Sequence, residues 1–452
     1  MKNKFLFILI FFAIISCSKR VTEKIADADT YSILSEKDRA TLKDELLEDR
    51  LTNLLPELMD KSGIDMWLLI SREYNEDPVL KTMLPATWLN ARRRTIIVFY
   101  RNKEKNTLER LAVARYDIGN SIKSAWNKEL EPNQWKALAE IIKARNPDKI
   151  GINFSKHFAL ADGLVKTDYD ELRENLSVEL SSKLVSAENL AIAWIETRTA
   201  KEMALFKQLV KITHDIIDEA FSEKVIIPGK TTTDDIVWFL RQKVTDLGLE
   251  TWFHPTIDVQ RNNVILKSEK ESFSKDKEQQ TILKGDLLHC DFGISYIGLH
   301  TDCQQHAYVL KDDEHKVPEF LADAFQKGNR LQDILTSTMK LGKTGNEILA
   351  ASLQQAKNEE LLPSIYTHPL GTYGHSAGTT IGMWDSQEGV PFNGEYPLQK
   401  NTVYAIELNT TVVVKEWNQS IRIMLEEAGF FGDGFFEYVN GRQMAIKPIK
   451  IN

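Results

Sequence analysis

One stretch constrains this chain more than any other: Leu287–Ala307, reading LLHCDFGISYIGLHTDCQQHA. Two apolar runs flank a connection that holds Gly293 and Gly298, which is the pattern of a β-hairpin. Each arm brings one aspartate, Asp291 and Asp302. Side chains on a strand alternate faces, so both arms can aim a carboxylate at one point. Two hard carboxylates on paired strands suit a divalent metal. Taken alone, they fit the solvent face of a hairpin better. The metal reading therefore depends on ligands supplied elsewhere.

A chain of 452 residues has room for two domains, and 42% apolar with 27% charged residues lies in the globular range. The net charge of -8 leaves no basic excess to neutralise phosphate, which argues against a nucleic-acid partner. Three cysteines cannot build a disulfide framework. Residues 1–16 read as a targeting segment: Lys2 and Lys4 precede an apolar run, Phe5–Ile15. That run is shorter than the roughly 20 residues a bilayer requires. It ends in Ser16-Cys17, and the arrangement resembles a bacterial lipoprotein signal. The resemblance implies cleavage before Cys17, lipid on that cysteine, and a chain tethered in the cell envelope, meeting the membrane only through that lipid. Cleavage would remove two lysines and leave a charge of -8 - 2 = -10.

Residues 17–40 are polar and read as a tether. Leu51, Leu54, Leu55, Leu58 and Met59 fit one face of a helix between Leu46 and Met59, which Gly63 stops. Short apolar runs at Met66–Ile70, Thr95–Tyr100, Leu111–Ala114 and Ile150–Ile152 suit buried strands, with a helical pattern at Trp135–Ala144. This alternation indicates a smaller α/β domain over residues 41–186. Within it, Arg92-Arg93-Arg94 reads as a solvated basic cluster. Residues 187–452 change character. A long helix from Thr199 to Ala220 is broken at Pro228-Gly229, and a second helix runs from Thr233 to Leu247. The plan recurs with a helix Glu319–Leu341, a break at Gly342, and a helix from Asn346 to about Asn358. GKTTTDDIVWFLRQ from Gly229 and GKTGNEILAASLQQ from Gly342 align, which suggests an internal duplication with a site between the halves. Neither GKT has the upstream glycine of a phosphate loop.

The second half supplies the missing donors. THPLGTYGHSAG holds His368 and His375 with Gly371 and Gly374 between them. Glu407 interrupts the apolar strand Val403–Leu408, where an unpartnered carboxylate would be costly. Ile421–Leu425 leads into Glu426-Glu427, and strand parity with Arg422 favours Glu426. Histidines 289, 300 and 306 and Gln304 share parity with one or other aspartate and could orient the ligands. Lining a wet cleft is an equal alternative for each. Cys290 and Cys303 should face away from the aspartates, as free thiols in preference to a disulfide.

The ordered set Asp, Asp, His, Glu, Glu resembles the pita-bread metallopeptidases: Xaa-Pro aminopeptidases, prolidases, methionine aminopeptidases and their relative creatinase. Asp291 in CDFG matches the family's D-x-G. Asp302 in HTDC matches its aspartate after Ser or Thr. His368, Gly371 and His375 match H-x-x-G-x-x-x-H, Glu407 matches the T-I-E-P glutamate, and Glu426 or Glu427 the last one. Leu408 replaces the proline of T-I-E-P, and four residues separate Arg422 from Glu426. The family's upstream histidine has no clear match, and His254 reads as structural.

The resemblance implies an α+β, duplicated pita-bread catalytic domain behind a creatinase-type α/β domain. It implies two divalent ions, manganese first with cobalt or zinc as alternatives, held by Asp291, Asp302, His368, Glu407 and Glu426. The seven-residue spacing selects His368 over His375 as the metal histidine. Glu407 would also shuttle a proton and His375 would steady the oxyanion. The reaction implied is hydrolysis of the bond before proline by metal-activated hydroxide, in an aminopeptidase acting on peptides. A prolidase is the alternative. A creatinase-like hydrolase and an inactive binding protein rank lower, and a homodimer is left open.

Overall fold

The computed structural model describes residues 33–264 and 279–450; the signal segment and most of the tether lie outside them. The first helix, α1 (Glu36–Asp49), starts inside the stretch read as tether. Ser35 caps it by accepting from Asp38 N, and Leu42, Leu46 and Leu47 bury its inner face. A π-helical turn, Arg50–Leu54, joins it to α2 (Leu55–Ser62), which Gly63 ends at φ 66°. The single helix expected from Leu46 to Met59 is thus two helices with a wide turn between them.

A six-stranded sheet follows: β1 (Met66–Arg72), β2 (Arg94–Asn102), β3 (Thr107–Ala112), β4 (Lys123–Ser124), β5 (Ile150–Ile152) and β6 (Leu184–Ser186), in the order β4-β3-β2-β1-β5-β6. Helix α3 (Gln134–Arg145) packs beside β1 and β5 through Trp135, Leu138 and Ile142. β1 is buried along nearly its whole length, as a central strand covered on both faces must be. Arg94 departs from the expected solvated cluster: it lies over the Trp135 ring and pairs with Asp168 at 3.2 Å and Glu171 at 2.8 Å.

Helices α4 (Glu188–Glu196) and α5 (Ala200–Ala220) lead into the second half. α6 (Thr233–Asp246) follows, then the sheet of β7 (Thr256–Gln260), β8 (Leu287–Phe292), β11 (Cys303–Val309) and β19 (Lys447–Ile449), with a two-stranded ribbon of β9 (Ser295–Tyr296) and β10 (Leu299–His300) in the β8–β11 connection. The plan then recurs. Helix α7 (Glu319–Thr338), three residues shorter than expected, and α8 (Gly345–Asn358) precede two sheets. One contains β12 (Leu362–Ile365), β15 (Leu408–Val414) and β16 (Gln419–Leu425). The other contains β13 (His368–Leu370), β14 (Thr402–Ala405), β17 (Ala428–Phe431) and β18 (Phe436–Tyr438).

The two halves share a turn chemistry. Gly229 and Gly342 sit at φ 80° and 79°, and α6 and α8 both begin with a reciprocal capping box, Thr232 with Asp235 and Thr344 with Glu347. The caps lie three residues after Gly229 but two after Gly342, so the true register of the repeat is one residue off the ungapped alignment. In that register Ile236 and Val237 match Ile348 and Leu349, all buried.

Candidate metal centre

The predicted donors stand where strands break. β8 and β11 pair antiparallel from Phe292↔Cys303 to Leu287↔Tyr308, so Asp291 lies on the ladder opposite Gln304. Asp302 is the last residue of the connection, one short of β11, and not on the arm itself. Its direction is set by the closed connection: Thr301 N donates to Ile294 O, Ile294 N donates to Thr301 Oγ1, and Ile297-Gly298 turn at φ 52° and 78°. Glu407 falls between β14 and β15 and Glu426 between β16 and β17. Those two long antiparallel segments change sheets together there, bridged by Ile406 N donating to Glu427 O at 2.9 Å. A corner of this kind turns consecutive side chains to different sides. Glu426 therefore points toward Asp302 while Glu427 points away, to His214 Nε2 at 2.6 Å, Gln443 N at 3.1 Å and Gln305 at 3.3 Å.

All five expected metal ligands converge. His368 Nε2 lies 3.5 Å from Glu426 Oε1 and 3.9 Å from both Asp302 Oδ2 and Glu407 Oε2. Donor atoms of His368, Glu407 and Glu426 lie within 4.8 Å of one another, as do those of Asp291, Asp302 and Glu426, and those of Asp302, His368 and His375. Two of these groups share Glu426, and the third links Asp302 to His368. Asp302 Oδ1, His368 Nε2 and Glu426 Oε1 are buried without a hydrogen-bond partner. Orphaned polar atoms are costly inside a protein, and here three of them face one another with the donor types that hold a divalent ion. The residues fit a metal.

The electrostatics agree. Burial, followed by the charges of Asp291 and Glu407, pushes the Asp302 carboxyl well above its ordinary range. Burial and the charges of Asp302, Glu407 and Asp291 do the same to Glu426. Burial and the Asp291 charge raise Glu407 to about 8. Burial, helped by nearby His375, lowers His368 to about 3, so the imidazole is neutral and free to ligate. Like charges gathered out of water call for a cation.

His375 differs from His368. It is exposed, 4.7 Å from the His368 ring centroid, and edge-on to Trp252 at 5.4 Å. Sequence reasoning missed Trp252. Its indole N–H donates to Thr301 O at 2.9 Å, and a Cβ on Gly374 would meet its ring at 2.3 Å. A Cβ on Gly293 would meet Thr301 O at 2.1 Å. The glycines of both motifs thus leave room for the indole and the closed connection. No sequence spacing marks residue 252 as a partner of residues 293 and 374. Tyr366, with its ring 5.3 Å from that of His368, was missed as well. His300 holds the histidine loop, its N and Nδ1 donating to Gly371 O. His306 bonds to Leu288 O and Met424 N as a buried core histidine. His254 contacts Arg241 and Trp238 and belongs to none of the candidate ligand groups among the described residues. Cys290 and Cys303 are buried free thiols.

Residues 204–426 match metallopeptidase family M24. No curated protein sequence matches the chain. Among solved structures, the chain resembles X-Pro aminopeptidase from Thermotoga maritima MSB8, with TM-score 0.61 and 15% identity over 87% of this chain and 100% of that one. It also resembles Xaa-Pro dipeptidase from Bacillus anthracis, with TM-score 0.56 and 14% identity over 91% and 100%. A third neighbour is the N-terminal domain of FACT complex subunit SPT16 from Cicer arietinum, with TM-score 0.51 and 12% identity over 92% and 99%. At these identities the structural likeness establishes the fold, and the titles differ enough that function must be argued from the site. With its cage of donors and the matched segment 204–426 around it, the second half of the chain carries a metallopeptidase family M24 domain of pita-bread fold, preceded by a smaller α/β domain.

Proposed function

We propose that this protein is a metal-dependent exopeptidase that hydrolyses the bond before proline, in the manner of an Xaa-Pro aminopeptidase. The observation that carries the reading is the complete donor set: four carboxylates and a neutral imidazole at one point, three of them with orphaned atoms. Asp291, Asp302, His368, Glu407 and Glu426 would hold two divalent ions, manganese by first choice. Bound ions supply a water acidified near neutral pH and a polarised scissile carbonyl. Glu407 is the proton carrier, the part the family resemblance gives it, with its carboxylate held by Gln304 among the other donors. His375, edge-on to Trp252 and open to solvent, orients the peptide and stabilises charge on the carbonyl oxygen. Support for proline specificity comes from the aminopeptidase and dipeptidase among the structural neighbours, and from the α/β domain. That domain reaches the histidine loop directly: Tyr373 OH donates to Pro78 O at 2.8 Å.

The test is release of the N-terminal residue from Xaa-Pro-peptides and from Xaa-Pro dipeptides by manganese-loaded protein, alongside metal analysis. Faster turnover of longer peptides is expected, and preference for the dipeptide would make the protein a prolidase. A purified protein that neither binds nor responds to a divalent metal would sink the proposal. For location, we propose attachment to the cell envelope through lipid on Cys17, which a Cys17→Ala variant should release into the soluble fraction.

A further inference from the structure

Gln304 sits on β11 directly opposite Asp291 and reaches the two glutamates of the other half. Its Nε2 donates to Glu407 Oε1 at 2.9 Å and to Glu426 Oε2 at 3.0 Å. A primary amide has two N–H hydrogens, and here each is committed to one carboxylate. With both glutamates ionised, as metal ligands must be, their oxygens only accept, and the amide hydrogens turn to them. The carbonyl Oε1 then turns to His289 Nε2 at 3.0 Å, which must carry the proton. His289 Nδ1 faces Asp258 Oδ2 at 3.3 Å, across the β7–β8 pairing. The backbone adds a second attachment: Gln304 N donates to Glu426 O at 2.9 Å.

The consequence lies in which oxygens remain. Gln304 takes Oε1 of Glu407 and Oε2 of Glu426. The other oxygen of each, Glu407 Oε2 and the orphaned Glu426 Oε1, turns to His368 Nε2 at 3.9 Å and 3.5 Å. We propose that Gln304, braced by His289, is a positioning residue of the metal centre, whose amide fixes which oxygen of Glu407 and Glu426 is offered to the ions. It is also a strut between the halves, because it belongs to the first hairpin and holds the ligands of the second. Partners behind the ligands of a metal commonly tune affinity by about 10–100-fold.

This inference rests on the metallopeptidase reading and is tested on the full chain by manganese titration calorimetry. Gln304→Met keeps the length and removes both donors. It should weaken manganese binding by about 10–100-fold, leave the far-ultraviolet spectrum unchanged, and lower kcat at saturating metal with KM for peptide unchanged. His289→Phe, which removes the donor to Gln304 Oε1, should weaken binding in the same direction but less. Wild-type affinity in Gln304→Met overturns the proposal. If that variant does not fold, wild-type affinity in His289→Phe overturns it. Metal-loaded wild-type protein that cleaves no Xaa-Pro substrate sinks the proposed specificity but not the arm, which the affinities alone decide. Wild-type protein that binds no manganese overturns both.

Discussion

Among the described residues, two clusters of buried charge are built on opposite plans. In the first, Arg50, Arg198 and Glu202 meet beneath the start of α5. Glu202 accepts from Arg50 Nη1 at 2.7 Å, from Arg198 Nη1 at 3.1 Å and from Thr199 N at 2.8 Å. Arg50 lies over the Trp194 ring and also donates to the carbonyls of Thr197 and Trp194. Burial alone would raise the Glu202 carboxyl, but Arg198 and Arg50 override it and hold it below its ordinary range. In the second cluster, four carboxylates share one neutral imidazole, and burial drives three of them upward. Opposite charges that neutralise one another make a structural joint, even with Arg198 Nε left without a hydrogen-bond partner. Like charges with orphaned atoms make a site that something else must complete.

The sharpest way to break that contrast is Asp302→Ala. It removes a member of two of the ligand groups and should take peptidase activity to background while leaving the α/β domain folded. Turnover retained at saturating manganese would refute the assignment. Arg50→Met acts on the other cluster. It strands Glu202 with one fewer cation in a buried setting and should cost about 3–5 kcal/mol of stability in urea unfolding. Manganese affinity should stay at the wild-type value; a matching loss of affinity would mean that the two clusters are coupled. The smallest effect is a difference of sign with pH in metal-free protein. Glu407 has a folded value of about 8, above its ordinary 4.5. Its folded state therefore keeps a proton that the unfolded chain releases, and its stabilising contribution is full below 4.5 and lost as pH rises through 8. Glu202, held low, contributes above its ordinary value and loses that contribution as pH falls. Thermal melts of chelator-treated protein should thus drop between about pH 5 and 9, and manganese should abolish the drop. A melt flat with pH in the absence of metal would contradict the cage electrostatics.

Much of the site could be read in the sequence because its donors follow short-range rules. Asp291 obeys strand alternation, Glu407 stands out as a polar residue in an apolar run, and His368 lies seven residues from His375 in a glycine-rich segment. What escaped depended on contacts distant in sequence. Asp302 lies on a connection whose closure needs Thr301, Ile294 and Trp252 together. Glu426 and Glu427 separate at a corner that no strand period describes, although parity selected the same glutamate for a different reason. In the fold, periodicity located helices α3, α5, α6, α7 and α8 and the inner strands β1, β2 and β5, and passed over α4 and β15. It missed the start of α1, because Glu36–Asp49 is too polar to announce an apolar face, and it ran through the π turn at Arg50. That turn matters, because it carries the arginine of the structural joint. The one-residue offset between the repeats was hidden by the shared GKT letters. Only the capping boxes reveal it.

The corner where β14 passes to β15 and β16 to β17 also sets a timetable for the nascent chain. The aspartate hairpin is synthesised well before the corner, and domains fold in order of emergence. Until the strand bearing Glu426 has been made and bent back, the first two carboxylates have neither Gln304's clasp on the glutamates nor His368 between them. A divalent ion held by all five donors would therefore mark a chain whose two halves have met, with the late strand β19 still to join β11. An ion offered earlier meets only two acids on a half-built sheet. A divalent ion that binds only the completed donor set would thus couple its binding to the folding of the second half.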